Sequence, residues 1–463
     1  MKVAVAVQRY GADINGGAEL HARYIAERLA RHAQIEVVTT CARDYVTWRN
    51  ELPAGIETVN AVPVRRFRAD REREPRDFGR HSQRVFDQRH SVADELAWLS
   101  SEGPTSRAMV DYLAREAFDF IVLFSYRYYH AYHAARKVAE ASRAAGETQG
   151  EHRNELTRAT EETQKKHRKH RKHRKRVVLV PTAERDPAIG LRIFGPVFRA
   201  VDAIMYNSLE ERAMIEAVSQ NDDVPGVVVG VGSEIPERTE AQRFRSRFGI
   251  TRPFAIYIGR IDENKGCKEL FEFYRRYAAT FPRGLDLVLA GSAVMSVPEH
   301  PRIHHLGFVS DEDKFDALAA SDLLIMPSFF ESLSMVALEA WAMGKPVLAN
   351  GRCDVLKGQC IRSSAGLYYE NYAEFAEALY ALESNGPLHA RLGRNGRAYF
   401  GAHYTWPVIE RKYLEMFDRL KQAGPSRPID PLPSWLERRK KEIPPASEIL
   451  RALPSGAVVP QQA

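Results

Sequence analysis

Residues Ser321 to Cys353 read SDLLIMPSFFESLSMVALEAWAMGKPVLANGRC. The stretch opens with an apolar run, Leu323-Leu324-Ile325-Met326, that Pro327 stops. Apolar residues in a short, unbroken row predict a strand buried on both faces of a parallel sheet. A polar loop follows, then an apolar helix of about ten residues through Met343. Gly344 falls where a left-handed C-terminal cap is expected, and Pro346 keeps the helix from continuing. Val347-Leu348-Ala349 reads as the next buried strand. The unit is strand–loop–helix–strand, and it carries two acids, Glu331 and Glu339, eight residues apart.

The two acids differ in setting. Glu331 lies in the loop between the carboxyl end of a strand and the amino end of a helix, where ligands bind in open α/β sheets. Glu339 is the one charged residue in Met335–Met343. A carboxylate on so apolar a helix must be paired or hydrogen-bonded, because burying it unsatisfied is costly. On the helix alone, a structural partner and a ligand are both open readings.

The rest of the chain repeats the alternation. Strands are expected at Lys2–Gln8, Ile35–Thr40, Val62–Phe67, Phe118–Phe124, Val177–Pro181, Ala203–Tyr206 and Val227–Val231, with amphipathic helices at Ala18–Arg31 and Ser106–Glu116. Arg66–Arg89, rich in Arg, Asp and Glu, reads as solvated helix or loop. A second α/β unit starts near Glu237, with strands Phe254–Gly259, Asp286–Ala290, His304–Val309 and Gly366–Tyr369 and a helix at Lys268–Ala279. This is an α/β chain of two doubly wound, Rossmann-like domains. We divide it into residues 1–235, residues 236–403, a helix over 404–423, and a Pro-rich tail over 424–463.

Composition narrows the class. The chain has 463 residues, 44% hydrophobic and 27% charged, as in a soluble globular protein with room for two cores. No apolar stretch approaches the ~18 residues of a membrane span. The first residues read as a strand rather than a leader. Four scattered cysteines without metal spacing suit a reduced cytoplasm. Of the net charge of +7, an insert at Ala139–Arg176 holds +6 and ends in an H-R-K repeat, Lys165–Arg176. Such a tract cannot build a core, so it is expected to be an unfolded low-complexity loop. The alternative is a basic segment drawn to anionic lipid or nucleic acid.

Two further motifs carry chemistry. Arg260 and Lys265 follow the first strand of the second domain in G-R-x-D-x-x-K-G. Fixed cations beyond a strand end suit a phosphate, or else Arg260 pairs with Asp262. Gly16-Gly17, between the first strand and first helix, allows a ligand to approach the helix amino end, or is a plain turn. There is no G-x-G-x-x-G fingerprint and no Walker loop. Cations, a helix amino end and two acids together fit a ligand with phosphates and hydroxyls, as in a nucleotide-sugar.

The order Gly16-Gly17, Arg260…Lys265 and E-x7-E resembles the retaining glycosyltransferases of family 4, of GT-B fold with two domains facing across a cleft. The resemblance implies that Arg260 and Lys265 neutralise the donor diphosphate and that Glu331 holds hydroxyls of the transferred sugar. It implies that Ser332, Leu333 and Ser334 present backbone N–H groups, that Glu339 binds the ribose, and that Gly17 lets the first domain approach the diphosphate. Ser334 stands where Gly is commoner, a change expected to matter little. Tyr404-Thr405-Trp406 looks like the crossover into a helix that returns to the first domain. Where relatives often carry a His on the first domain, this chain has Glu184, so Glu184 and His130 are the acceptor-side candidates.

The expected function is transfer of a hexose from a GDP- or UDP-sugar to a saccharide or lipid-linked acceptor in cell-surface polysaccharide biosynthesis, without cofactor or metal. The expected location is cytoplasmic, with peripheral contact at the inner face of an anionic membrane and no specific nucleic-acid partner. A GT-B epimerase or phosphorylase is the alternative within the fold. A nucleic-acid or membrane binder acting through the insert is the alternative from another class.

Overall fold

The computed structural model describes residues 1–14, 16–140, 175–221, 223–423 and 451. Most of the basic insert and nearly all of the Pro-rich tail lie outside them. No helix among the described residues is long and apolar enough to cross a membrane.

Among the described residues, the first sheet has eight strands: β1 (Lys2–Ala6), β2 (Gln34–Thr40), β3 (Gly55–Val59), β4 (Val62–Phe67), β5 (Phe120–Phe124), β6 (Arg176–Val180), β7 (Ala203–Tyr206) and β8 (Gly226–Val228). Their spatial order is β3-β4-β2-β1-β5-β6-β7-β8, parallel except for the β3–β4 hairpin. The second sheet has, among the described residues, six strands: β9 (Phe254–Ile258), β10 (Asp286–Ala290), β11 (Ile303–His305), β12 (Leu323–Met326), β13 (Val347–Asn350) and β14 (Gly366–Tyr369). Their order is β11-β10-β9-β12-β13-β14, and every pairing is parallel. The central strands are buried throughout, β5, β9, β10 and β12 at every residue, which is what their unbroken apolar runs require.

Both sheets reverse direction at a strand that matters for the site. In the first, β1 lies between β2 and β5; in the second, β9 lies between β10 and β12. Each reversal leaves a crevice beyond the strand ends. The glycine pair follows β1 and opens the helix Gly17–Leu29. The loops of Lys265 and Glu331 follow β9 and β12, which pair through Leu323–Ala255 and Leu324–Ile256.

The helix Trp406–Gln422 returns to the first domain. Phe417 packs on Phe120 of β5 with ring centroids 4.5 Å apart, and Tyr24 meets Trp406 edge-on at 5.7 Å. Lys412 donates to the Val229 carbonyl at 3.1 Å.

Two expected strands are corrected and one strand is added. The strand expected at His304–Val309 ends at His305, because Gly307 takes φ +72°. The strand expected at Val227–Val231 ends at Val228, just before Gly230 at φ +72°. The hairpin partner β3 was not expected. Its turn places Asn60 and Ala61 at φ +49° and +63°, a tight hairpin turn without the usual glycine.

Candidate active site

The turn after β9 is organised by Asp262. One carboxylate oxygen accepts from the Asn264 amide at 2.8 Å and the other holds the Arg260 guanidinium at 2.7 Å. The Asp262 carbonyl accepts from the amides of Lys265 and Cys267. Gly266 closes the turn at φ +75°, and a Cβ there would overlap the Pro327 carbonyl oxygen. Glycine is therefore what lets the turn after β9 lie against the loop after β12. That contact brings Lys265 Nζ to 2.9 Å from Glu331 Oε1, joining residues far apart in the chain. Burial alone would lower the Lys265 ammonium, but the Glu331 carboxylate, with Glu184 beyond it, raises it above its ordinary value. Arg260 keeps 43% of its side chain exposed despite pairing with Asp262, and it donates to the Tyr45 hydroxyl at 3.0 Å.

Glu339 has the partners that its apolar helix demanded. Its Oε1 accepts from Ser233 Oγ at 2.6 Å and from Lys314 Nζ at 3.0 Å. Its Oε2 is buried and has no partner among the described residues. A buried carboxylate oxygen left so is costly, and a ligand hydroxyl would satisfy it. Ser332 Oγ accepts from Asn207 Nδ2 across the cleft at 3.4 Å, and the Leu333 carbonyl accepts from Gln359 Nε2 at 2.5 Å. Ser334 caps the helix Met335–Ala342, accepting from the Ala337 amide at 3.4 Å. It does so at φ +70°, so its replacement of glycine is not neutral: the left-handed region costs a serine about 1 kcal/mol that glycine avoids.

The first-domain wall is looser in sequence. Gly16 caps the helix Gly17–Leu29, and a Cβ on it would strike the Glu19 side chain, which pairs with Arg9 at 2.7 Å. At Gly17 nothing lies within 4 Å of where a Cβ would stand. The fold itself does not need glycine there; the space is open at a helix amino end. Beyond β6, Thr182 takes φ +48° and shares a 2.6 Å hydrogen bond with Ser125, itself at φ +64°. Strain of this kind gathers where a site over-determines the backbone. The same loop presents Glu184, half-buried, toward Lys265 and Glu331. Burial first, then the Glu331 and Asp186 carboxylates, push it up to about 7 against the pull of Lys265. Beneath it Glu211, fully buried, accepts from the Ala183 amide at 2.5 Å, and burial pushes its carboxyl up to about 8.

His130 does not belong to this wall. It is buried in the core with Nε2 against the Phe124 carbonyl at 3.0 Å, and burial pushes it down to about 4. It is a neutral core histidine, so the acceptor-side candidate that faces the cleft is Glu184. The sequence reading also missed Asp262 as organiser, Lys314 and Ser233 as partners of Glu339, and Tyr45. Only Asp262 carried a signal, its place inside G-R-x-D. Arg185–Asp354 at 2.9 Å and Arg362–Glu210 at 2.9 Å tie the walls together, around a crevice lined by Glu210, Glu211, Phe330, Glu331 and Arg352.

The two parallel sheets and the cleft between them define a GT-B protein. Residues 238–399, within the second domain, match the family model for glycosyl transferases group 1. Mannosylfructose-phosphate synthase of Agrobacterium fabrum is 26% identical over 203 residues, covering 38% of this chain and 43% of that protein. Alpha-D-kanosaminyltransferase of Streptomyces kanamyceticus is 29% identical over 191 residues, covering 36% and 46%. The chain thus spans about half the length of the curated relatives it matches. Among solved structures, sucrose-phosphate synthase from Thermosynechococcus elongatus superposes with a TM-score of 0.60 at 16% identity, over 91% of this chain and 100% of that one. HepE from Anabaena in complex with UDP-glucose superposes with a TM-score of 0.60 at 15% identity, over 90% and 100%.

Proposed function

We propose that this chain is a retaining glycosyltransferase of family 4, taking a hexose from a nucleotide-sugar to a saccharide or lipid-linked acceptor in cell-surface polysaccharide biosynthesis. The observation that carries the reading is the Lys265–Glu331 pair at 2.9 Å, with Arg260 on the same turn and the unsatisfied Glu339 oxygen below. Cations suited to a diphosphate beside a carboxylate suited to sugar hydroxyls, with a second carboxylate oxygen able to accept from a ribose hydroxyl, support this reading. The names of the relatives, a sugar-phosphate synthase and a glycosyltransferase, support transfer of a sugar. The HepE complex makes UDP-sugars the first donors to try, with GDP-sugars next.

In this reaction the bond between the anomeric carbon and the diphosphate oxygen breaks, and the acceptor oxygen bonds to that carbon on the same face. The acceptor proton passes to the departing phosphate oxygen. Arg260 and Lys265 stabilise the charge that builds there, as preorganised electrostatic partners of the transition state. Glu331 accepts from hydroxyls of the transferred sugar, Glu339 from the ribose, and the open space at Gly17 admits the diphosphate. No metal takes part. The place of action is the cytoplasm, at the inner face of the membrane.

A thermal-shift screen of UDP, GDP, ADP and their hexose conjugates tests the reading. One nucleotide-sugar should raise Tm more than its free nucleotide does, since a ligand stabilises the state it binds. A protein that no member of the screen stabilises is not a nucleotide-sugar enzyme.

A further inference from the structure

Residues 43–49, after β2, form a loop with an unusual contrast between base and apex. The base is closed by a bridge between Ala42 and Asn50. Asp44 accepts from the Val46 amide at 2.9 Å and from the Thr47 amide and hydroxyl at 2.5 Å each. Trp48 is buried beneath, its indole N–H donating to the Glu102 carbonyl at 2.6 Å, with the Arg73 guanidinium 4.8 Å above its ring. The Arg73 amide donates to the Thr47 carbonyl at 2.6 Å, and its guanidinium donates to the Tyr45 carbonyl. Arg9 donates to the Arg43 carbonyl at 2.7 Å, and Arg43 pairs with Asp13 of the glycine-rich loop. On this braced loop the apex pair is apolar and open: Tyr45 is 48% exposed and Val46 44%.

On a loop held so firmly, a tyrosine and a valine left nearly half exposed keep apolar surface free for contact. Rigid loops that display apolar side chains at a cleft are binding surfaces. The position of the apex says what it binds. Tyr45 is the first-domain residue whose hydroxyl meets Arg260, at 3.0 Å, while its ring lies 5.4 Å from the Arg9 guanidinium. It stands within one side chain of the cation proposed to hold the donor phosphate, on the wall opposite the donor acids. The molecule that must enter from that side is the acceptor. A hexose presents one face of C–H groups, and aromatic rings with a polar tip are suited to cover such a face while remaining wet at the edge.

We infer that Tyr45 and Val46 form the platform on which a sugar ring of the acceptor stacks during transfer. The inference rests on the glycosyl-transfer reading and adds the acceptor subsite to it. Loss of the Tyr45 ring leaves the donor turn intact but removes the surface that orients the incoming hydroxyl.

The experiment uses the full chain and the nucleotide-sugar that stabilises it most. The acceptor probes are the methyl and p-nitrophenyl glycosides of glucose, galactose, mannose and N-acetylglucosamine. Tyr45→Ala should raise the acceptor KM about tenfold while moving the donor KM by less than about twofold. Tyr45→Phe keeps the ring and should hold the acceptor KM within about threefold of wild type. An acceptor KM equal in wild type and Tyr45→Ala overturns the platform, as does a loss confined to the donor KM, which makes Tyr45 a phosphate neighbour. Wild-type donor hydrolysis without transfer to any probe also overturns it, leaving the donor reading standing. A wild type that neither hydrolyses nor transfers removes the transferase reading, and the platform with it.

Discussion

On the second-domain wall, Arg260, Lys265 and Glu331 sit on two turns whose shapes follow from neighbouring residues: Asp262 knots one, Gly266 seats it against Pro327, and Ser334 starts the helix after the other. On the first-domain wall, Gly17 opens a helix, while Tyr45 and Glu184 come from two separated loops, each held by a partner distant in sequence. Arg73 holds Tyr45, and Glu211 and Ser125 hold the loop of Glu184. The difference teaches where a motif can be trusted. A short motif predicts geometry when the residues that shape it are inside it, and fails when they are elsewhere.

The sharpest way to break the comparison is to remove the charged pair. Lys265→Ala and Glu331→Ala should each lower kcat/KM by roughly 10²–10³-fold, the scale of losing one preorganised electrostatic partner of the transition state. Circular dichroism should show the fold retained. Full activity in either variant would move the chemistry off the second-domain wall. Gly266→Ala comes next. A Cβ at φ +75° against the Pro327 carbonyl pushes the two turns apart, so stability should fall by roughly 1–3 kcal/mol in urea unfolding. The nucleotide-induced rise in Tm should shrink with it. A variant as stable as wild type shows that the turns do not need each other.

Glu184 sharpens the other wall. Its native carboxyl titrates near 7, above the ordinary value of 4.5, so the native state holds this proton more tightly than the unfolded chain does. Its contribution to stability is full below the ordinary value and is lost as pH rises through 7. Glu184→Gln cannot ionise, so its Tm should gain on that of wild type between about pH 5 and pH 8. A constant gap over that range places Glu184 in open solvent, away from Lys265 and Glu331. The smallest expected effect is at Ser334. Replacement by Gly relieves the left-handed backbone but loses the hydroxyl cap, for a net gain of a few tenths of a kcal/mol up to about 1 kcal/mol. A net loss means that the cap outweighs the strain.

The central strands were legible because a buried parallel strand needs an unbroken apolar run, and β5, β7, β9 and β12 fall where those runs lie. Strand β3 was not legible, because Asn60-Ala61 lacks the glycine that marks a two-residue hairpin and the strand itself carries Glu57 and Thr58. His130 misled because a lone histidine looks the same in sequence whether it faces a cleft or the Phe124 carbonyl.

The chain by itself determined the two doubly wound sheets, the pairing that Glu339 requires, and the set of cations and acids facing one crevice. All of these follow from local periodicity and from the cost of burying charge. Tertiary structure alone decided that Lys265 meets Glu331, that Lys314 and Ser233 take one oxygen of Glu339 and leave the other unmet, and that Tyr45 reaches Arg260 across the cleft. The first of those contacts depends on strand order. Because β12 returns to the far side of β9, the stretch from Ser321 to Cys353 lies beside a turn that ended more than fifty residues earlier.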